Sequence, residues 1–220
     1  MEPPILKFVP HLLGFSLSFN AGMINLLSIM QPLHMGVSHV TGTVSHLSLQ
    51  LVLGGQEVQF YLLTLAFFLL GAFTSGLAVG GGLFEPHKRY GYVLIGESVV
   101  ILAAHRVFLL DPLAGIYPLS FACGVQNGLF TAYSKVVIRT THLTGVLTDI
   151  GLELGRGVKN REFEWSRIEL HLSLLAGFFT GGLLGAVGWV WFELDALLFS
   201  SLMTAGMGLA YWGFRRQHFT

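Results

Sequence analysis

The sequence predicts an all-α integral membrane protein, with six transmembrane helices arranged as two inverted three-helix repeats that each contain a short re-entrant half-helix. Three observations lead to this fold class: the composition, six apolar segments, and two similar polar segments about one hundred residues apart. Charged residues make up 11% of the 220 residues, and the mean hydropathy is +0.67. In ordinary soluble domains about a quarter of the residues are charged. So apolar a chain is therefore expected to lie in a lipid bilayer.

Six apolar segments are long enough to cross a bilayer, because a spanning helix needs about 20 mostly apolar residues. They cover residues 11–31, 60–82, 90–110, 112–133, 170–191 and 194–214. With the N-terminus inside, every lysine and arginine except Arg106 lies on the cytoplasmic side, as the positive-inside rule expects. If the two polar segments also crossed, the basic clusters at 87–89 and 134–139 would move outside. The charge distribution thus favours six spans with both termini cytoplasmic.

Three sequence blocks recur in the same order in the two halves of the chain. Residues 19–30 resemble 121–133 at an offset of 102, residues 39–44 resemble 142–147 at 103, and residues 71–81 resemble 177–188 at 106. This pattern indicates an internal duplication within one membrane domain, residues 1–220. Repeat one covers about 11–110 and repeat two about 112–214. Because each repeat has an odd number of spans, the second would enter the membrane from the opposite side, as in many transporters.

The two polar segments, SHVTGTVSHLSLQL (38–51) and THLTGVLTDIGLEL (141–154), share a His-x-Thr-Gly motif. Each predicts about ten residues of helix, ending at Gly54-Gly55 and at Gly155. Thr41 and Thr144 are predicted N-caps. Such helices are too short to span, and irregular backbone at membrane depth is tolerated only inside protein or beside a wet cavity.

A re-entrant half-helix exposes backbone N–H groups and a partial positive charge of about half a unit at its N-terminus. Two such ends pointing from opposite sides would form a site for an anion or a polar group. The alternative is a pair of interfacial helices that seal the bundle, since a structural helix can be duplicated too.

The candidate substrate-binding residues belong to the two predicted helix starts, to amides at matching places in the repeats, and to one arginine beside the second motif. They are Thr41, Gly42, Thr43, Thr144, Gly145, Asn25, Gln126, Asn127 and Arg139. Interhelical hydrogen bonding is the alternative role for the amides. An ordinary positive-inside position is the alternative for Arg139.

Three residues are candidates for proton coupling: Glu97, His39 and His142. A carboxylate at the depth of Glu97 costs several kcal/mol unless it is paired, protonated or facing water, so a proton carrier and a neutral structural acid both stay open. The histidines at 34, 39, 46 and 142 lack a firm metal-ligand spacing. No metal or other cofactor is predicted, and a titrating histidine is the favoured interpretation. The formal net charge of zero gives no indication of a nucleic-acid partner.

The blocks AGMINLLSI, HVTGTV, GAFTSGLAVG, GESVVIL, GVQNGLF, VIRTTHLTGVLTDIG and GFFTGGLLGA resemble the YoaK-like family of bacterial inner-membrane proteins, the domain of unknown function 1275. The resemblance covers almost the whole chain. It implies a small polytopic protein of a bacterial inner membrane with no settled activity. The family commonly has Asp where this chain has Asn25, and Asn where it has Thr43. Glu97 matches an acidic position of the family.

The leading functional hypothesis is a small transporter or channel for a small polar or anionic solute, with Glu97 coupling a proton. Its partners would be the lipid bilayer and the solute, and the thin bundle of six spans favours a homodimer. Two alternatives stay open: a membrane-embedded enzyme or sensor that uses His39, His142 and Glu97, and a structural membrane subunit.

Overall fold

The computed structural model describes residues 5–80, 89–133 and 140–218, with side chains for 11–80, 89–129 and 140–216. Within these residues the chain forms eight α-helices and one 3-10 turn, and no strand. The helices are α1 (Ile5–Ile29), α2 (Val40–Leu53), α3 (Val58–Val79), α4 (Tyr90–Leu110), α5 (Ile116–Tyr133), α6 (Leu143–Asn160), α7 (Trp165–Phe192) and α8 (Ala196–His218). The turn, Glu193–Asp195, joins α7 to α8. The predicted all-helical class is confirmed.

Six of the helices occupy the six predicted apolar segments, and α2 and α6 occupy the polar ones. Among the described residues, four stretches can cross a membrane by length and composition: His11–Ile29, Val58–Val79, Tyr90–Leu110 and Trp165–Arg216, the last of which contains α7 and α8. Large apolar side chains such as Leu69, Val99 and Val190 point outward. Helices satisfy their own backbone polar groups, so an apolar outer surface suits them to lipid. The chain is a multi-pass helical membrane protein.

Helices α1 and α7 lie side by side because glycines on α7 let the two backbones touch. Gly177 lies against the carbonyl of Phe15, and Gly181 against that of Phe19, so close that a methyl group at either position would overlap the carbonyl. Close approach through small residues is a common way for membrane helices to associate. Since the residue numbers rise together along the contact, α1 and α7 run parallel.

Helices α3 and α5 pair in the same manner. Gly71 of α3 lies against the carbonyl of Phe121 of α5, and the Ser120 hydroxyl donates to the carbonyl of Thr64 (2.9 Å). The numbers again rise together, so this pair is also parallel. The halves of the chain thus exchange partners: the first helix of each half packs on the helix after the polar segment of the other half.

Helices α4 and α8 run antiparallel. Gly91, at the start of α4, approaches the Gly208 carbonyl near the end of α8. The Ser201 hydroxyl donates to the Ser98 carbonyl at 2.8 Å. At the far end, His105 pairs with Asp195 just before α8 (2.8 Å).

The glycine contacts correct the match between the third pair of sequence blocks. Phe19 and Phe121 are 102 residues apart, and the glycines that touch them, Gly181 and Gly71, are 110 apart. The glycines that make matching contacts on α3 and α7 are therefore separated by four residues more than the offset of 106 read from the sequence. Four residues correspond to about one helical turn. A shift of four residues returns to the same helix face, so both registers suit a glycine-rich stripe.

Helices α2 and α6, which contain the two polar motifs, end differently. Helix α2 stops at Leu53, as predicted, with Gly54 in the left-handed conformation (φ 66°). Helix α6 was expected to end at Gly155, which is wrong, because the helix continues to Asn160. Glycine inside a helix costs only about 1 kcal/mol. The next glycine, Gly157, is buried against the ring of Phe163, and this packing favours the added turn.

Candidate functional site

A cavity of about 1010 Å³ lies among α1, α2, α3, α5 and α6. Its wall contains the starts of two helices: residues 39–41 at the start of α2, and residues 142–144 at the start of α6. Phe68 of α3 and Phe178 of α7, which are 110 residues apart, complete part of the wall. Two motifs separated by about one hundred residues in the sequence therefore face one space.

Helices α2 and α6 begin in the same way. Their N-caps are His39 (φ −93°, ψ 65°) and His142 (φ −90°, ψ 60°), and neither N-cap residue forms a capping hydrogen bond with its side chain. The prediction of Thr41 and Thr144 as N-caps is wrong, because each helix begins two residues earlier. Both threonines are the second helical residue, and both are exposed in the cavity wall.

The glycine of each motif makes room for the histidine ring. A methyl group on Gly42 would overlap the ring of His39, and one on Gly145 would overlap the ring of His142. The imidazole can therefore fold over the first turn only where the third helical residue lacks a Cβ. Neither glycine lines the cavity, so their role is to position the N-cap histidines rather than to contact a solute.

The two asparagines hold the residues that precede these histidines. Asn25 accepts hydrogen bonds through Oδ1 from the Ser38 backbone N–H (3.3 Å) and hydroxyl (2.7 Å). Asn127 accepts from the Thr141 N–H (3.3 Å) and the Thr140 hydroxyl (3.3 Å), and its Nδ2 donates to the Thr141 hydroxyl (2.7 Å). Both asparagines also line the cavity. Ser38 and Thr141 were not among the predicted residues, although a hydroxyl residue directly before each histidine is visible in the sequence.

Gln126 does not line the cavity. It is 1% exposed. Its Nε2 donates to the Leu17 carbonyl (2.7 Å), and its Oε1 accepts from Asn20 (3.2 Å). Asn20 in turn joins Ser200 (2.6 Å) and Thr204 (3.0 Å). Gln126 therefore joins α5 to α1 by interhelical hydrogen bonds, which is the alternative role considered for the amides.

Thr43 and Glu97 also lie away from the cavity wall. Thr43 is 1% exposed, and its hydroxyl donates to the His39 carbonyl (3.2 Å). Glu97 is 1% exposed on α4, and neither carboxyl oxygen has a hydrogen-bond partner within the part of the chain that the structure describes. Arg139 lies outside the described residues.

The cavity wall is polar without being charged. Among the described residues that line it there is no aspartate, glutamate, lysine or arginine. The polar groups are asparagine amides, hydroxyls, the backbone of two helix starts, and the imidazoles of His34, His39 and His142. Across the described ranges, no three His, Cys, Asp or Glu side chains are grouped to hold a metal ion. Such a wall can bind a small solute through hydrogen bonds.

A family model described as "Protein of unknown function (DUF1275)" matches residues 13–210, which include all or most of every helix. No curated protein and no solved structure matches the chain. A match over so much of the chain shows membership, and the protein belongs to the DUF1275 family.

Proposed function

We propose that the protein is a small membrane transporter or channel that moves a small polar or anionic solute between the N-termini of α2 and α6. One observation carries the proposal: a single cavity is lined by the starts of α2 and α6, and neither N-cap histidine caps its helix with its side chain. The wall residues that would contact the solute are Thr41, Thr144 and Asn25.

The electrostatics of the wall favour an anion or a solute with exposed oxygen atoms. The first N–H groups of a helix have no partner inside the helix, and each start carries a partial positive charge of about half a unit. Asn25 uses its Oδ1 for Ser38, which leaves the Nδ2 donor for a solute. The described part of the wall has no carboxylate to repel an anion.

The directions of the helices support an inverted repeat with α2 and α6 as re-entrant half-helices. If neither crosses the membrane, α1 and α7 are the first and fifth crossings, and α3 and α5 the second and fourth. Both pairs must then be parallel, as they are. Helices α4 and α8 are the third and sixth crossings and must be antiparallel, whereas eight crossings would make them parallel. Their antiparallel packing therefore favours six spans.

The same topology places the start of α2 towards the outer side of the cavity and the start of α6 towards the inner side, with both chain termini cytoplasmic. Alternating access to one central site is the general mechanism of inverted-repeat transporters. Glu97 would act in proton coupling from α4, at a distance from the solute. The described contacts do not join Glu97 to His39 or His142, so the enzyme hypothesis has no assembled site to support it.

Flux in proteoliposomes tests this proposal. Purified protein is reconstituted and supplied with a panel of small anions and small amides. For a transported solute, Thr41→Leu and Thr144→Leu each place an apolar side chain in the cavity, and we expect at least a tenfold loss, about 1.4 kcal/mol of barrier.

Ser45→Leu and Thr148→Leu are the matched controls, because these exposed residues lie one turn further along the same helices and outside the cavity. They should retain flux. Folded protein that moves none of the panel, or equal losses in the cavity and control variants, would contradict the proposal.

A further inference from the structure

The side of α6 that packs on α7 carries a histidine between two carboxylates. His171 of α7 has its Nδ1 at 3.2 Å from Glu153 Oε2 and its Nε2 at 3.8 Å from Asp149 Oδ2. The His171 side chain is 5% exposed and that of Glu153 is 10% exposed, while Asp149 is half exposed. Each ring nitrogen of one buried imidazole thus faces an acidic side chain of α6.

The geometry favours a particular charge state of the ring. A neutral imidazole has one N–H and one lone pair, whereas the imidazolium has an N–H on both nitrogens. Only the imidazolium can therefore present a donor to both carboxylates. Asp149 and Glu153 are also one turn apart on a helix, where two like charges repel each other unless a positive charge lies nearby.

This cluster is connected to the main cavity through α6. Helix α6 packs on α7, and its first residues, His142 to Thr144, form part of the cavity wall. Elsewhere, α6 is held by Val146, which belongs to the same apolar cluster as Leu174, and by the hydrogen bonds of Asn127 to Thr141 just before its start. A change in the contact with His171 therefore acts on one wall of the cavity.

We propose that His171, Asp149 and Glu153 form a protonation-dependent latch that holds α6 on α7 and so keeps the start of α6 at the solute site. The inference rests on the proposed function for its effect on transport, but the latch itself is a property of α6 and α7. When the ring loses its proton, the contact to one carboxylate is lost, and the two acids repel each other. The half-helix start then leaves its position more readily.

Other charged and titratable groups surround the latch and limit its strength. Arg156 on α6 and Arg167 on α7 line the same small cavity of about 160 Å³ as the latch, and His11 is a titratable residue of α1, a further helix that packs along α7. Arg167 is paired with Glu164 (2.9 Å) and is half exposed. The arginines can compensate part of the acidic charge when His171 is neutral, so the expected effect is a few-fold change rather than complete release.

The equivalent place in the first half has no such cluster. There His46 stacks on Tyr61 (ring centroids 5.6 Å apart), and Tyr61 donates to Glu57 (3.2 Å). His46 is exposed and has no carboxylate partner within the described ranges. Helix α2 therefore serves as an internal reference for α6.

Thiol labelling tests the latch without any need for transport. Thr144→Cys and Thr41→Cys are made separately in a Cys123→Ala background, and their labelling rates are measured from pH 5 to 8, the range in which histidines commonly change charge. The ratio of the two rates cancels the pH dependence of thiolate formation. We expect the ratio to rise about threefold with pH, the scale of a partly buried ion pair, and to stay high and constant in His171→Gln.

Two further variants make the outcome decisive. Asp149→Asn and Glu153→Gln together should also remove the pH dependence, and His46→Gln should keep it. The latch is overturned if the ratio of labelling rates does not change with pH when His171 is present, or if it still changes with pH in His171→Gln. If the protein transports a solute but the labelling ratio does not change with pH, only the latch is contradicted. If the labelling ratio changes with pH but no solute is transported, only the proposed transport is contradicted.

Discussion

The short helices α2 and α6 share their first turn and differ in how their later turns are attached. At the first turn both have an N-cap histidine over a glycine, a threonine in the cavity wall, and a preceding hydroxyl residue held by an asparagine. Further along, α2 is attached at the start of α3 by the stack of His46 on Tyr61 and by a hydrogen bond from Gln50 to Glu57, and α6 is attached to α7 by the contacts of His171 with two carboxylates. The shared part is the part that faces the cavity. The difference suggests that α2 and α6 contribute one kind of site, while α6, unlike α2, is attached through a buried histidine that lies between two carboxylates.

The largest expected loss of folded protein comes from substitutions at the helix contacts that position α2 and α6. Gly71→Leu and Gly181→Leu each force a side chain into a backbone carbonyl of the partner helix. We expect either variant to lose the folded state, since overpacking typically costs 1–3 kcal/mol and backbone overlap more. The measurement is the yield of monodisperse protein in detergent.

Gly206→Leu is the control for this pair, because nothing lies within 4 Å of the added Cβ. It should give the yield of the unsubstituted protein. If Gly71→Leu folds and Gly181→Leu does not, the two halves do not use equivalent contacts.

An intermediate effect is expected at the two asparagines. Asn127→Leu removes at least three hydrogen bonds, one of them from the buried Thr140 hydroxyl, whereas Asn25→Leu removes two, both from Ser38. An unsatisfied buried polar group costs about 1–3 kcal/mol. We therefore expect a larger fall in thermal stability for Asn127→Leu, roughly 2–4 kcal/mol against 1–2. Equal losses would mean that both starts are held with the same strength.

The smallest effect concerns the attachment of α2. Tyr61→Phe removes the hydroxyl that donates to Glu57 but keeps the ring under His46. The expected loss is about 0.5–1.5 kcal/mol, with no change in the pH dependence of labelling at Thr41→Cys. Tyr92→Phe is the control, because Tyr92 is exposed on α4. A larger loss, or a new pH dependence, would show that α2 has a polar latch of its own.

Much of this organisation could be predicted from residues alone. The apolar segments predicted where six of the helices lie, because the length and hydropathy of a segment are enough to recognise such a helix. The repeated His-x-Thr-Gly motif indicated that the two polar segments are equivalent, and Asn25 was matched with the amides of Gln126 and Asn127. The role of Gln126 could not be predicted, because an amide in an apolar helix can equally well line a cavity or bind a neighbouring helix. Its contacts with Leu17 and Asn20 depend on how α1 and α5 pack.

Local sequence signals were ambiguous where two choices differ by little free energy. A hydroxyl residue stands directly before each motif histidine, and a threonine stands two residues after it. The sequence therefore offered more than one possible helix start, and in the structure His39 rather than Thr41 is the N-cap of α2. Gly155 looked like a helix end, but one glycine costs only about 1 kcal/mol, and the packing of Gly157 on Phe163 favours a longer α6.

By itself, the sequence determined that this is a helical membrane protein with two polar segments that share a motif, because composition and motif are properties of each segment alone. Tertiary structure decided which residues meet: that the starts of α2 and α6 face one cavity, that Thr43 and Glu97 lie away from it, and that His171 lies between two acids. These outcomes depend on helix direction and register. A register shift of one turn leaves every local pattern intact and changes every contact between helices.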